Sequence, residues 1–177
     1  MAEPGRRAST QSDQRPWLVL IAYTWDLLIG IVAIFGALAA LGGKVTVGSR
    51  SVTLPLPLQV LDTLSAAAFA ATLIVVATLL TRRNRWIRSV QIAVLATAAS
   101  LLALSVAIGE LRGGIATLAL LVSLLVILLH LAVIVVMTER RIVDWFIEPG
   151  RPERYVLGML AFWAASNLAL LLVAAFA

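Results

Sequence analysis

The chain contains no cysteine, one histidine and one lysine, and only nine of its 177 residues are acidic. Without cysteine there are no disulfides, thiolate nucleophiles, iron–sulfur ligands or palmitoylation sites within the chain. A single histidine rules out haem held by two histidines of one copy, and a hydrolytic metal site would lack the clustered His or carboxylate ligands it needs. Charged residues make up 13% of the chain, about half the share usual in soluble domains and too few to cover a water-facing surface. The six prolines fall in the N-terminal tail and the loops, so none breaks an apolar run at mid-length. The glycine pairs Gly42-Gly43 and Gly113-Gly114 follow apolar runs and do not form a phosphate-binding loop opening a helix.

What is abundant is apolar: 62% of residues are hydrophobic and the mean hydropathy is +1.02. These residues gather into five runs, Trp17–Leu41, Leu58–Leu80, Trp86–Ile108, Ile115–Met137 and Tyr155–Phe176, each long enough to cross about 30 Å of hydrocarbon as a helix. The reading is all-α: a polytopic transmembrane bundle of five spans over residues 17–177 that leaves little for a soluble catalytic domain, preceded by a polar tail over 1–16 with the composition of a disordered cytoplasmic arm. Arg6, Arg7 and the Ala37-Leu38-Ala39 stretch outline a signal peptide, but the run is too long and carries Asp26, so an uncleaved anchor is expected.

Thirteen of the fourteen basic residues are arginine, which with the Ala and Leu bias suggests a bacterial-type plasma membrane. Arg6, Arg7, Arg15, Arg82, Arg83, Arg85, Arg88, Arg140, Arg141, Arg151 and Arg154 fall on one side of the five runs, and Lys44, Arg50 and Arg112 on the other. Positive charge is retained in the cytoplasm, so the N-terminus is expected inside and the C-terminus outside. Trp17, Trp86, Trp145 and Tyr155 are placed at the same inner boundary, where amphipathic rings prefer to sit. The net charge of +5 lies beside apolar segments and forms no long basic stretch, which favours the lipid bilayer as partner and argues against nucleic acid.

Two loops carry patterns of their own. Residues 44–54 alternate apolar and polar side chains on each side of Gly48-Ser49, the pattern of a short outer β-hairpin. Between Glu139 and Glu148, Ile142, Trp145 and Phe146 share one side while Arg140, Arg141, Asp144 and Glu148 share another. This predicts an amphipathic turn in the inner interface or a prolongation of the fourth helix. Arg140, Arg141, Arg151 and Arg154 are candidates for holding an anionic lipid headgroup, and they serve equally as ordinary orienting charges.

Polar residues inside the spans are costly, about 2.5–3.5 kcal/mol for a charged group on insertion scales, so Asp26, Asp62, Gln91, His130 and Asn167 are the candidate site residues. At about 1.5 Å per residue from the inner end, Gln91, His130, Asp26 and Asn167 come to depths of roughly 7, 10, 13 and 18 Å, and Asp62 to roughly 30 Å. The first four could form one polar layer, while Asp62 is expected near Arg112 or Lys44. Ala22, Asp26, Gly30, Ala33 and Ala37 recur at helical spacing, a small-residue stripe that lets another helix approach closely. A stripe of Ala116, Ser123, Ile127, His130 and Ile134 on the fourth span is expected to face it or a shared neighbour.

Catalysis finds no support, because Ser123 lies two turns from the only histidine, about 10 Å away. No enzyme activity, cofactor or metal is therefore expected. Two classes remain. The favoured one is an accessory or scaffold subunit that meets other membrane subunits, or copies of itself, through its small and polar stripes. The alternative is a small transporter or channel with a proton-linked Asp26/His130 pair.

Overall fold

The structure is a computed structural model that describes residues 16–47 and 50–176. The tail expected over residues 1–16 lies, apart from Pro16, outside the described residues, as does the Gly48-Ser49 turn. Among the described residues, five long helices are long and apolar enough to cross a membrane: α1 (Trp17–Ala40), α2 (Leu56–Leu79), α3 (Arg85–Leu111), α4 (Thr117–Thr138) and α6 (Arg154–Phe176). A six-residue helix, α5 (Arg140–Trp145), lies between α4 and α6, and two four-residue strands, β1 (Lys44–Val47) and β2 (Arg50–Thr53), lie between α1 and α2.

Proline sets the start of two helices. Pro16 and Pro55 occupy the N-cap positions of α1 and α2, and Pro57 stands in the first turn of α2, where a missing N–H breaks no helical bond. Their carbonyls accept the first helical bonds, from Val19 and from Leu58 and Gln59, each at 3.0 Å. After α1 the chain reverses at Gly43, whose φ of +66° suits glycine. Strands β1 and β2 then pair antiparallel, with Lys44 opposite Thr53 and Val47 opposite Arg50. The Gln59 amide donates to the Leu41 carbonyl and the Leu54 N–H to the Gly43 carbonyl at 2.8 Å, tying the base of the ribbon to the helix ends.

Helix α1 packs mainly on α2, α2 also on α6, and α3 on α4 and α6. The small-residue stripe explains the first contact. Ala22 and Gly30 are buried, and a Cβ built on Gly30 would stand 3.2 Å from Ile74 Cγ1 and 3.6 Å from Leu73 Cβ, so α2 lies against bare backbone. The stripe therefore meets α2 first, and α4 touches α1 less extensively.

The tightly packed core gathers at the end bearing the α2–α3 and α4–α6 loops. It includes Val19, Leu73, Val76, Leu80, Ile87, Val94, Met137, Ile142, Phe146 and Val156. Long apolar side chains elsewhere stay outward, such as Leu118, Leu125 and Val135 on α4. In lipid this carries no hydrophobic penalty, because acyl chains are as apolar as leucine.

The segment after α4 departs from the expectation of a turn resting in the lipid interface or of a longer fourth helix. Glu139 takes an extended backbone (φ −60°, ψ 138°), which ends α4 before α5 begins. The apolar side then turns into the bundle, with Ile142, Trp145 and Phe146 all buried by protein. Two backbone bonds hold it there, Glu148 N–H to the Arg83 carbonyl at 3.0 Å and Arg85 N–H to the Glu148 carbonyl at 3.1 Å. The Arg83 guanidinium also lies 4.5 Å from the Trp145 ring centroid. Trp86 is likewise buried by protein, so of the four rings expected at the boundary only Trp17 and Tyr155 remain exposed.

Candidate functional site

The intramembrane polar residues sort into three groups. The first is a closed pair across helices. Asp26 on α1 and Gln91 on α3 are both fully buried, and Gln91 Nε2 donates to Asp26 Oδ1 at 2.7 Å. The other polar atom of each side chain, Asp26 Oδ2 and Gln91 Oε1, has no partner. Asp26 thus bonds Gln91 and not His130, its expected partner.

His130 instead meets α1 through the neighbouring residue. Its ring stands edge-on to Trp25, with centroids 5.5 Å apart and planes at 85°. Its Nδ1 lies 2.7 Å from the Val126 carbonyl one turn back, an oxygen that can only accept, so Nδ1 carries the proton in that bond. In the neutral ring Nε2 is then left as an acceptor, buried and unpartnered, as is the Trp25 indole N–H.

The second group binds α2 to α6. Asn167 Nδ2 donates to Ser65 Oγ at 2.8 Å, and Ser65 Oγ lies 2.9 Å from Ser166 Oγ, which in turn lies 2.7 Å from the Phe162 carbonyl. Ser65 Oγ thus accepts from the Asn167 amide and shares a hydrogen bond with Ser166 Oγ, whose hydroxyl also reaches the Phe162 carbonyl. One turn away the Phe69 and Trp163 rings stack at 4.3 Å with planes 15° apart. Asn167 was legible as a candidate, whereas Ser65 and Ser166 were not, because serine is common in membrane helices and neither carries charge. Their signal was the adjacent Ser166-Asn167 pair on an otherwise apolar span.

The third group lines a central chamber. All five long helices contribute to a cavity of about 450 Å³ whose polar lining is Asp62, Ser105, His130 and Asn167, with Phe69 and Trp163 among its apolar walls. A second cavity of about 360 Å³ shares Asp62, Ser105 and Asn167 and continues past Ser123 to Gly109 and Ile115 at the α3–α4 turn. The protein-buried core lies at the arginine-rich end, and the chamber lies toward the ribbon end. Asp62 was expected beside Arg112 or Lys44. Among the described residues it has neither hydrogen bond nor ion pair, and the Arg112 guanidinium donates to the Ala175 carbonyl at the end of α6.

The remaining candidates take structural positions. Ala33 and Ala37 are half-buried at the open end of the α1 stripe. Arg140, Arg141, Arg151 and Arg154 are all exposed around the α4–α6 connection, at the same end as Arg82, Arg83, Arg85 and Arg88. Arg88 turns inward to cap α4, with Nε donating to the Met137 carbonyl at 2.7 Å. Among the described residues no group of three or more His, Asp or Glu side chains could hold a metal ion.

Five apolar helices of spanning length, lipid-facing leucines and a polar interior define the class as a multi-pass helical membrane protein. Within that class, no protein-family model, curated protein or solved structure matches the chain.

Proposed function

We propose that this is a multi-pass protein of a bacterial-type plasma membrane, and that its bundle binds a small, mostly apolar molecule as a carrier or receptor. The observation that carries the reading is the chamber. A cavity of about 450 Å³ lined from every long helix, apolar in its walls and polar at a few converging points, has the size and chemistry of a small-molecule site between helices. Orientation follows charge: eight arginines of the described residues crowd one end, against Lys44, Arg50 and Arg112 at the other. On the positive-inside rule, our reading has the N-terminus and the α5 segment in the cytoplasm, and the C-terminus, the ribbon and the chamber's extension outside.

The role is one of binding and not of covalent chemistry, since the sole histidine is engaged with Val126 and Trp25 and not with a hydroxyl nucleophile. A carrier reading here rests on the chamber, and no longer on an Asp26/His130 pair. The subunit reading keeps one observation of its own. Between α3 and α6 runs an outward groove of small residues, Ala96, Thr97, Ser100, Ala161, Ala164 and Ala165, where another helix could approach closely.

The mass and composition of the protein extracted from its native membrane in mild detergent test the two readings. A lone chain or homo-oligomer that takes up an amphipathic probe is the outcome expected of a ligand-binding bundle. A stoichiometric second protein, with no probe uptake, would transfer the assignment to an accessory subunit.

A further inference from the structure

The chamber's polar lining is unbalanced. It contains one carboxylate, Asp62, and among the described residues no Lys or Arg lines either cavity. Arg112, just past the end of α3, donates to the Ala175 carbonyl. Asn167 donates one Nδ2 hydrogen to Ser65 and keeps its second Nδ2 hydrogen and its carbonyl oxygen, and His130 has given its Nδ1 proton to Val126, which leaves a lone pair on Nε2. His130 is nine-tenths buried or more, at 2% exposure. The chamber's one formal charge is thus negative, that of Asp62, beside neutral groups that can donate as well as accept.

Asp62 is a half-buried carboxylate with no positive partner among the described residues, so a cation entering the chamber would meet its charge unopposed. The walls suit such a partner. The stacked Phe69 and Trp163 present aromatic surface to the chamber, to which both apolar rings and cations are attracted. Asp62 lies six residues into α2 and His130 thirteen residues into α4, both counted from the ribbon end. At about 1.5 Å per residue this separates the two polar points by roughly 10 Å in depth.

We propose that the chamber is a binding site for a small amphipathic amine, with the ammonium group against the Asp62 carboxylate and the apolar body between Asp62 and His130 along the Phe69–Trp163 wall. This rests on the reading of the chamber as a ligand site. A neutral ligand of the same shape would fill the walls but leave Asp62 unpaired, and an anionic one would be repelled by it. Asp62 is thus the residue that selects charge, while the apolar walls select size.

Calorimetric titration of the full chain in detergent with phenethylamine, phenethyl alcohol and phenylacetate, three probes of nearly one shape and three charges, tests this. Wild type is expected to bind the amine about tenfold more tightly than the alcohol, and the carboxylate not at all. Asp62→Asn, which keeps the side-chain shape, should reduce the amine to the affinity of the alcohol, and the comparison cancels partition of the probes into micelles. Equal binding of amine and alcohol by wild type, or an amine preference that survives Asp62→Asn, overturns the amine site while leaving the chamber a ligand site. Failure of all three probes to bind overturns both readings.

Discussion

Gln91 reaches across from α3 to donate to Asp26 on α1 at 2.7 Å, and each side chain keeps one buried oxygen without a donor. Two buried acceptors without a donor are the weak point of an otherwise closed contact. An amide in place of the carboxylate would mend it, because an asparagine could donate to Gln91 Oε1 while accepting from Gln91 Nε2. Asp26→Asn should therefore unfold at or above the wild-type temperature in detergent. Asp26→Leu should lose about 1–3 kcal/mol by stranding the Gln91 amide. Equal losses in the two variants would show that the pair contributes nothing through hydrogen bonding.

The relay from Asn167 through Ser65 and Ser166 to the Phe162 carbonyl makes a second interhelical link, between α2 and α6. Interhelical hydrogen bonds in membrane bundles couple by about 0.6 kcal/mol on average and up to about 1.7. A double-mutant cycle of Ser65→Ala and Asn167→Leu should give a coupling in that range. The single Ser65→Ala change should cost more than its volume warrants, because Asn167 Nδ2 loses its acceptor. Strict additivity of the two changes would mean that the bonds are not formed in the folded protein.

These two links differ in how far the chain betrayed them. Five spans, their bounds to within a few residues and the burial of Asp26, Gln91 and His130 follow from hydropathy and from the cost of polar groups in lipid, which are properties of single segments. Partners are properties of pairs of helices. Asp26 and His130 have compatible depths, but so do Asp26 and Gln91, and only the rotation of α3 against α1 decides between them. That rotation is set by steric detail such as the bare backbone at Gly30, and the α1 stripe turned out to receive α2. The chamber was illegible for the same reason, being the space five helices leave between them. The α5 segment shows the reverse error. Its amphipathic pattern was plain, yet a pattern cannot say whether the apolar face meets lipid or protein, and here backbone bonds to Arg83 and Arg85 decide for protein.

Gly30 and Gly36 allow the packing of α1 to be tested with one helix as its own control. A Cβ on Gly30 would stand 3.2 Å from Ile74 Cγ1, whereas one on Gly36 would meet nothing within 4 Å. Gly30→Leu should push α1 from α2 and cost about 1–3 kcal/mol. Gly36→Ala should be neutral or gain up to about 1 kcal/mol from better helix propensity. A harmless Gly30→Leu would place α2 farther from α1 than the structure does.

The absence of cysteine makes the topology directly measurable, since any single introduced thiol is the only reactive one. Thr53 on β2 and Arg151 between α5 and α6 are both exposed and lie at opposite ends of the bundle, one next to the ribbon and the other among the arginines. If positive charge is retained inside, Thr53→Cys in intact cells should react with a membrane-impermeant maleimide, and Arg151→Cys should react only after permeabilisation. Replacing Arg151 removes one of eight described arginines at that end, too small a change in the charge bias to invert the bundle. The reverse labelling pattern would turn the molecule over, and the chamber's extension past Ser123 to the α3–α4 turn would then face the cytoplasm. An amine would in that case reach Asp62 from inside the cell, so the labelling also decides the side from which the phenethylamine titration should be repeated in sealed vesicles.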